Sequence, residues 1–279
     1  LAARVVEAQS GIDTRSGAIK SQQLFLPGLE DFMRVMPNHI ARSSLFAPVA
    51  RGRKIIHKDV VLVSRADAVI KFWGEQLDES QADVWMQAIY EAIRVPLGEP
   101  VIIKRAEFLR SIGRQTGNYE YKWLNRTMQA LAFAMIVMEV HAKDGQPKLT
   151  VGKNSALHMI ESFDFDDKDE VYTLRIDPRW RVMFSNREFA LIDWEKRKRF
   201  GAHQDMAKAL QRLVATSNES IQRYALDWLK EKLGYKGRMR DFVNAVNRAI
   251  HELERVEVIA GGRIETSTKG RAQTVWKKL

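Results

Sequence analysis

The chain has 279 residues, 45% of them hydrophobic, and a formal net charge of +10. That length suits two packed units and a tail at about 100–150 residues per domain, and no run of about 18 apolar residues offers a membrane span. The absence of cysteine excludes disulfides, thiolate metal sites and thiol nucleophiles, and it fits a reducing cytoplasm, the expected location. The charge is unevenly placed: Lys196 to Leu279 holds 19 Lys and Arg against 9 Asp and Glu, whereas residues 1–195 carry 26 of each. A localised positive unit is the footprint of a phosphate-binding surface, with an anionic membrane or a merely soluble basic surface as the alternatives.

Residues 1–40 are expected to form a flexible arm. The chain opens at Leu1, as a segment of a longer protein would, and becomes rich in Gly, Ser, Thr and Gln through Gln23. Gln23-Leu24-Phe25-Leu26-Pro27 interrupts this arm with apolar residues, which suit either a strap on the unit behind it or a peptide docking in a partner's groove. Asp31 to Phe46 reads as a connector with a turn at Pro37-Asn38, its last residues from Ala41 opening the first unit. Asp59 to Ser64 and Ala68 to Trp73 form a hairpin pattern, and Asp78 to Arg94 an amphipathic helix that Pro96 to Pro100 terminates.

A short strand, Val101 to Ile103, then leads to a short helix from Arg105 to Ile112 and a longer one from Tyr119 to Phe133. The long helix buries Leu124, Met128 and Leu131 and exposes Lys122, Asn125, Arg126 and Gln129. A hairpin turning at Asp144-Gly145 follows, with residues 155–165 and 171–176 expected to extend its sheet and 178–184 to form a short helix.

The same order recurs from Asp193. A helix to Thr216, strand-like Ser220-Ile221, a short helix from Arg223 to Leu233 and a long helix from Arg238 to Arg255 precede two β-like runs, residues 256–260 and 263–267, joined at Gly261-Gly262. In the long helix Phe242, Val243, Val246, Ala249, Ile250 and Leu253 make one stripe, leaving Arg240, Asn244, Asn247, Arg248 and His251 on the other face. The recurrence predicts an α+β chain of two tandem winged helices, residues 41–192 and 193–279, behind the arm.

Catalytic apparatus is not legible. Neither a P-loop nor a dinucleotide-binding glycine motif occurs, and the six histidines lack metal-ligand spacing. Asp164, Asp166, Asp167, Asp169 and Glu170 tempt a metal reading but lack the glycine and glutamate of a calcium loop, so a solvated turn is expected there. The chain is therefore read as a non-enzyme with no cofactor and no metal.

Particular words then match a family. Met36-Pro37-Asn38 followed by Ala41-Arg42-Ser43-Ser44-Leu45-Phe46, Val84-Trp85 through Pro96-Leu97-Gly98-Glu99-Pro100, and Trp194-Glu195-Lys196-Arg197-Lys198 resemble the TrfA-type plasmid replication initiators, from about Gln23 onward. The resemblance implies two winged-helix domains that bind directly repeated iterons in a plasmid origin. It also implies opening of adjacent AT-rich DNA, recruitment of the host initiator, helicase and polymerase clamp, a monomer-dimer equilibrium, and a part in plasmid copy control. It further implies a clamp-binding peptide at Gln23, Leu24, Phe25 and Leu26, although Pro27 stands where the family has an aromatic residue.

On this reading Arg240, Asn244, Asn247 and Arg248 are the main base readers, because Arg matches guanine and Asn adenine in the major groove. Lys122, Asn125, Arg126 and Gln129 are the candidates in the first unit, which shares its surface with dimerisation. Phosphate contacts fall to Lys196, Lys198, Arg199, Lys236, Arg238, Arg263, Lys269 and Arg271. A transcriptional repressor on the same fold, and a metal-dependent nuclease or relaxase using the acidic cluster, are the rival expectations.

Overall fold

The computed structural model describes residues 30–48, 54–96, 98–142, 144–152, 157–184 and 188–279; the peptide Gln23, Leu24, Phe25 and Leu26 lies outside them. The connector is corrected at once. Residues 31–46 fold into β1 (Met33–Pro37), α1 (Asn38–Ala41) and β2 (Phe46–Ala47), with Val35, Met36, Ile40 and Phe46 fully buried. Pro37 ends a strand, where its missing N–H costs no ladder bond, and packed structure begins before residue 40.

The expected hairpin is present as β3 (Ile56–Leu62) and β4 (Ala68–Glu75). After β5 (Leu77–Asp78), which lies parallel to β2, Asp78 caps α2 (Glu79–Ile93). Its carboxylate accepts from the Gln81 amide at 2.9 Å, and the Gln81 side chain accepts from the Asp78 amide at 3.0 Å. Helix α2 is the axis of the first unit. Trp85 is fully buried on it, edge-on to Trp180 at 5.0 Å.

Next come β6 (Val101–Lys104), α3 (Arg105–Ser111) and α4 (Asn118–Phe133). The hairpin that follows, β7 (Met135–His141) and β8 (Pro147–Val151), joins β4 rather than β6, and with β9 (Leu157–His158) completes a five-stranded sheet. The strands that return to β6 are β10 (Ser162–Asp166) and β11 (Val171–Arg175), in a separate sheet ordered β10-β11-β6. The expectation that residues 155–165 and 171–176 extend the preceding hairpin is thus overturned. Ile136, Met138 and Val140 of β7 bury with Ile70 and Phe72 of β4, whereas Phe165 packs on Tyr172 at 4.6 Å across β10 and β11. After α5 (Trp180–Met183), β12 (Phe189–Asp193) pairs with β1 and ties the end of the unit to its beginning.

The single helix expected over residues 193–216 is two. Asp193 caps α6 (Trp194–Lys198), and after a left-handed residue at His203, φ +62°, the chain enters α7 (Asp205–Ala215). Residues 223–225, expected in a helix, belong to β13 (Ile221–Ala225), so α8 spans Leu226–Lys232. The long helix α9 (Met239–Arg255) buries the expected stripe, with Phe242, Val246 and Leu253 fully enclosed. It is followed by β14 (Ile259–Thr266) and β15 (Ala272–Lys278), in a sheet ordered β13-β15-β14.

Gly261-Gly262 is not a hairpin turn but an irregularity inside β14. Gly261 has φ +63°, and a Cβ on Gly262 would lie 2.5 Å from Ile250 Cγ2, so the strand can cross α9 this closely only with glycine. The actual turn is Ser267 to Arg271, closed by the Ser267 amide donating to the Arg271 carbonyl at 2.8 Å. In both units the strand before a short and a long helix pairs into a three-stranded sheet with two later strands, the last lying between the other two; in the first unit β7, β8 and β9 intervene.

The apolar cores of the two units are separate clusters. Ala215 of α7 packs against the first cluster, and beside it the joint is crossed by a buried ion network. Glu79 at the start of α2 is fully buried between Arg212, at 2.5 Å, and Arg197, at 2.9 Å. One turn later Asp83 meets Arg197 and Lys208, each at 2.5 Å. Arg212 also donates to the Ala41 and Phe46 carbonyls at 3.1 and 2.8 Å, and Arg42 donates to Thr216 Oγ1 at 2.7 Å. The N-terminal dipole of α2 adds favourable potential at Glu79.

Two outcomes follow from this network. Glu79→Gln leaves two buried guanidinium groups short of a countercharge and should cost about 3–5 kcal/mol in urea unfolding; a loss under about 1 kcal/mol would contradict the burial. Burial raises the Asp83 carboxyl, but Arg197 and Lys208 outweigh it and hold it below the usual range. Its contribution is therefore complete above its unfolded pKa of about 3.9 and is lost as pH falls further. Asp83→Asn should flatten the fall of stability below about pH 4, followed by circular dichroism.

Candidate nucleic-acid interface

The amphipathic period of α9 decides what its outer face presents. Its apolar stripe is held by α7 and β14, so Arg240, Asn244, Asn247, Arg248 and His251 are turned to solvent. None of the five has a hydrogen bond or ion pair among the described residues. Exposed Arg and Asn with free donors and acceptors on one helical face can engage base edges or phosphates without first breaking an internal bond.

The start of α9 is electrostatically unusual. Lys236, Arg238 and Arg240 are exposed at the positive end of the helix dipole, and Asp241 is the only acid in the first turn. Cations there are unfavourable by a few tenths to about 1 kcal/mol each, whereas an anion at the same place is favoured by the dipole and the free amides. The arrangement therefore suits an external anion.

The remaining phosphate candidates separate by their bonding. Lys269 and Arg271 sit exposed on the β14–β15 turn, without an ion pair among the described residues. Arg263 is paired with Glu265 at 2.8 Å; a hydrogen bond from Gln273, then the Arg263 charge, hold the Glu265 carboxyl below its usual range. Lys198 pairs with Glu195 at 2.8 Å, Lys196 donates to the Glu257 carbonyl at 2.8 Å, and the Arg199 carbonyl accepts from Arg255 at 2.7 Å. The run Lys196 to Arg199 thus spends part of its charge internally, and its member Arg197 is wholly buried.

In the first unit, Lys122, Arg126 and Gln129 are exposed on α4, while Asn125 is half-buried and donates to the Tyr172 hydroxyl at 3.4 Å. The neighbouring β10–β11 turn is acidic. Asp166 accepts from the Lys168 and Asp169 amides at 2.8 and 3.2 Å, and Glu170 pairs with Arg105, so Asp166 and Glu170 serve the turn itself. Asp164, Asp167 and Asp169 are exposed beside them. Among the described residues no three His, Cys, Asp or Glu side chains converge as metal ligands, and no described helix is long and apolar enough to cross a membrane.

Sequence reasoning missed the internal roles of Arg197, Lys208 and Arg212. A signal existed: Glu79 and Asp83 are four apart on α2, Lys208 and Arg212 four apart on α7, so each pair shares one helical face.

A family profile described as "TrfA protein" matches residues 1–260. The plasmid replication initiator protein TrfA of Escherichia coli is 30% identical over 190 residues, covering 64% of this chain and 47% of that protein, so the chain spans about half the length of that relative. Domains 2 and 3 of RctB superpose with a TM-score of 0.50 at 12% identity, covering 86% of this chain and 96% of that one, a likeness of fold alone. A Pi initiator protein, solved in complex with iteron DNA, superposes with a TM-score of 0.49 at 14% identity, over 72% of this chain and 94% of that one.

Replacing Arg240 and Arg248 together by alanine should lower the salt needed to elute the protein from heparin. Because both are exposed and unpaired, stability should change by less than about 1 kcal/mol in urea unfolding. Unchanged elution would remove them from the anion-binding surface.

Proposed function

The chain belongs to the TrfA protein family, and from that premise we propose that it is a plasmid replication initiator that binds repeated duplex sites at its origin through two winged-helix units. The observation that carries the reading is the unpaired Arg and Asn face of α9, flanked by free cations at its start and on the β14–β15 turn. The turn is the wing of the second unit. Lys269 and Arg271 follow phosphates from it, Lys236 and Arg238 hold phosphate at the helix start, and Arg240, Asn244, Asn247 and Arg248 read bases.

The repeated strand order supports a winged helix in each unit, with β10 and β11 as the first wing in place of the Asp144-Gly145 hairpin. That first wing is acidic at its turn, and the unit around it lacks the second unit's positive excess. Duplex DNA therefore engages the second unit more strongly. In the first unit Lys122, Arg126 and Gln129 are the contacts, with Asn125 diverted to Tyr172.

No ATP-hydrolysing step is assigned, so opening of AT-rich DNA is driven by binding free energy. Several initiators on adjacent repeats deform the duplex, and the added contacts offset the deformation, a cost on the order of 1–6 kcal/mol for smooth bending of a site. Recruitment of the host initiator, helicase and clamp, a monomer-dimer equilibrium and a cytoplasmic setting complete the proposal.

Asn244→Ala should weaken binding to an origin repeat by about 1–3 kcal/mol and leave random duplex nearly unchanged. Arg271→Ala should weaken both and reduce the salt slope by about one contact. Equal losses on the two DNAs for Asn244→Ala would take it out of base readout. Permanganate reactivity in the AT-rich flank should appear on binding; its absence would favour a repressor on the same fold.

A further inference from the structure

The two units contribute separate apolar cores, and their outward helices α4 and α9 are buried in different ones. Beside the packing of α7 on β12 and of Ala215 on the first core, the contacts between the units are directional. Arg197 bridges Glu79 and Asp83 of α2, and its guanidinium also donates to the Lys208 carbonyl at 3.0 Å and to Gln211 Oε1 at 3.3 Å. Gln211 in turn donates to the Asp193 carbonyl at 3.0 Å. Arg212 crosses to Glu79 and to the carbonyls of Ala41 and Phe46. Each guanidinium is planar, with donors in a fixed fork, and is held to carboxylates on one side and carbonyls on the other. Such a joint tolerates little rotation, unlike an apolar patch, whose energy changes gradually as surfaces slide.

We propose that Glu79, Asp83, Arg197, Lys208 and Arg212 form a register clamp: the network fixes α4 relative to α9 and thereby sets the spacing, in base pairs, between the two DNA segments that the units contact. These are positioning residues, none of which touches DNA. The inference rests on the proposed duplex binding by both units. A rigid joint makes the second contact favourable only when the two segments stand at the right distance and rotational phase. A loose joint binds the native spacing less well and accepts others.

The test uses the full chain and one direct repeat from the origin of the encoding plasmid. Hydroxyl-radical footprinting locates the two protected segments, and duplexes are made with 0 or 5 base pairs inserted between them, about half a helical turn. A third duplex carries only the segment protected by the second unit. For the unmodified chain the insertion should weaken binding at least about 10-fold, because both segments can no longer be met at once.

In Asp83→Asn/Lys208→Gln, which removes the Asp83 ion pairs with Lys208 and Arg197 and keeps the Glu79 pairs, the insertion penalty should shrink to under about 3-fold. Affinity for the single segment should stay within about 2-fold, which a general loss of folding would not allow. Glu79→Gln provides a stronger version of the same change. An insertion penalty that is equal in the unmodified chain and both variants overturns the clamp, as does an unmodified chain indifferent to the insertion. That last arm decides the matter even if neither variant folds. Failure of the unmodified chain to bind any of the duplexes instead overturns the proposed function and the clamp with it.

Discussion

The two units are held to one another across a charge cluster that faces inward. Glu79 and Asp83 are buried carboxylates, and they face two buried guanidinium groups, Arg212 on α7 of the other unit and Arg197 on α6, whose Trp194 lies in the first core. Removing such charges from water costs several kcal/mol per ion, and mutual attraction repays it only with good geometry and further hydrogen bonds. Both conditions are present in the carbonyls of Ala41, Phe46 and Lys208. A packed apolar joint could hold the units together with equal or greater strength. What the ions add is direction, since a misaligned guanidinium leaves a buried charge unpaired.

The same residue types do opposite work on the two sides of α7 and α9. Arginine inside is consumed by carboxylate partners, whereas Arg240 and Arg248 outside have none among the described residues. A net charge alone therefore misstates where binding can occur. Of the basic run Lys196 to Arg199, Arg197 belongs wholly to the joint and Lys198 is partly neutralised by Glu195. The β14–β15 turn keeps Lys269 and Arg271 free of ion pairs among the described residues, while the β10–β11 turn of the first unit is acidic. Two units with one strand order thus carry contrary electrostatic edges.

The long helices α2, α4 and α9 were legible in the sequence because their apolar residues recur at helical spacing. The stripe Phe242, Val246, Ala249, Ile250 and Leu253 is buried as its period requires, and the polar face follows from it. Strand partnership was less legible. The hairpin at Asp144-Gly145 is visible as a hairpin, but nothing local says that β7 will join β4 and leave β6 to β10 and β11. Gly261-Gly262 carries the composition of a turn, yet its glycines serve a close crossing of β14 over α9, a tertiary demand that no short window contains. Arg197 and Arg212 look like surface cations until the acidic pair Glu79 and Asp83 is set beside them, more than a hundred residues away.

That distance along the chain has a consequence for synthesis. Strand β1 finds its partner only in β12, and Glu79 waits 133 residues for Arg212. At about 5–20 residues per second, the carboxylate is made roughly 7 to 27 seconds before its second guanidinium exists. For most of that interval the start of α2 has no countercharge from Arg197 or Arg212 and the N-terminal strand has no ladder. The first unit must therefore wait for the start of the second before Glu79 is fully neutralised.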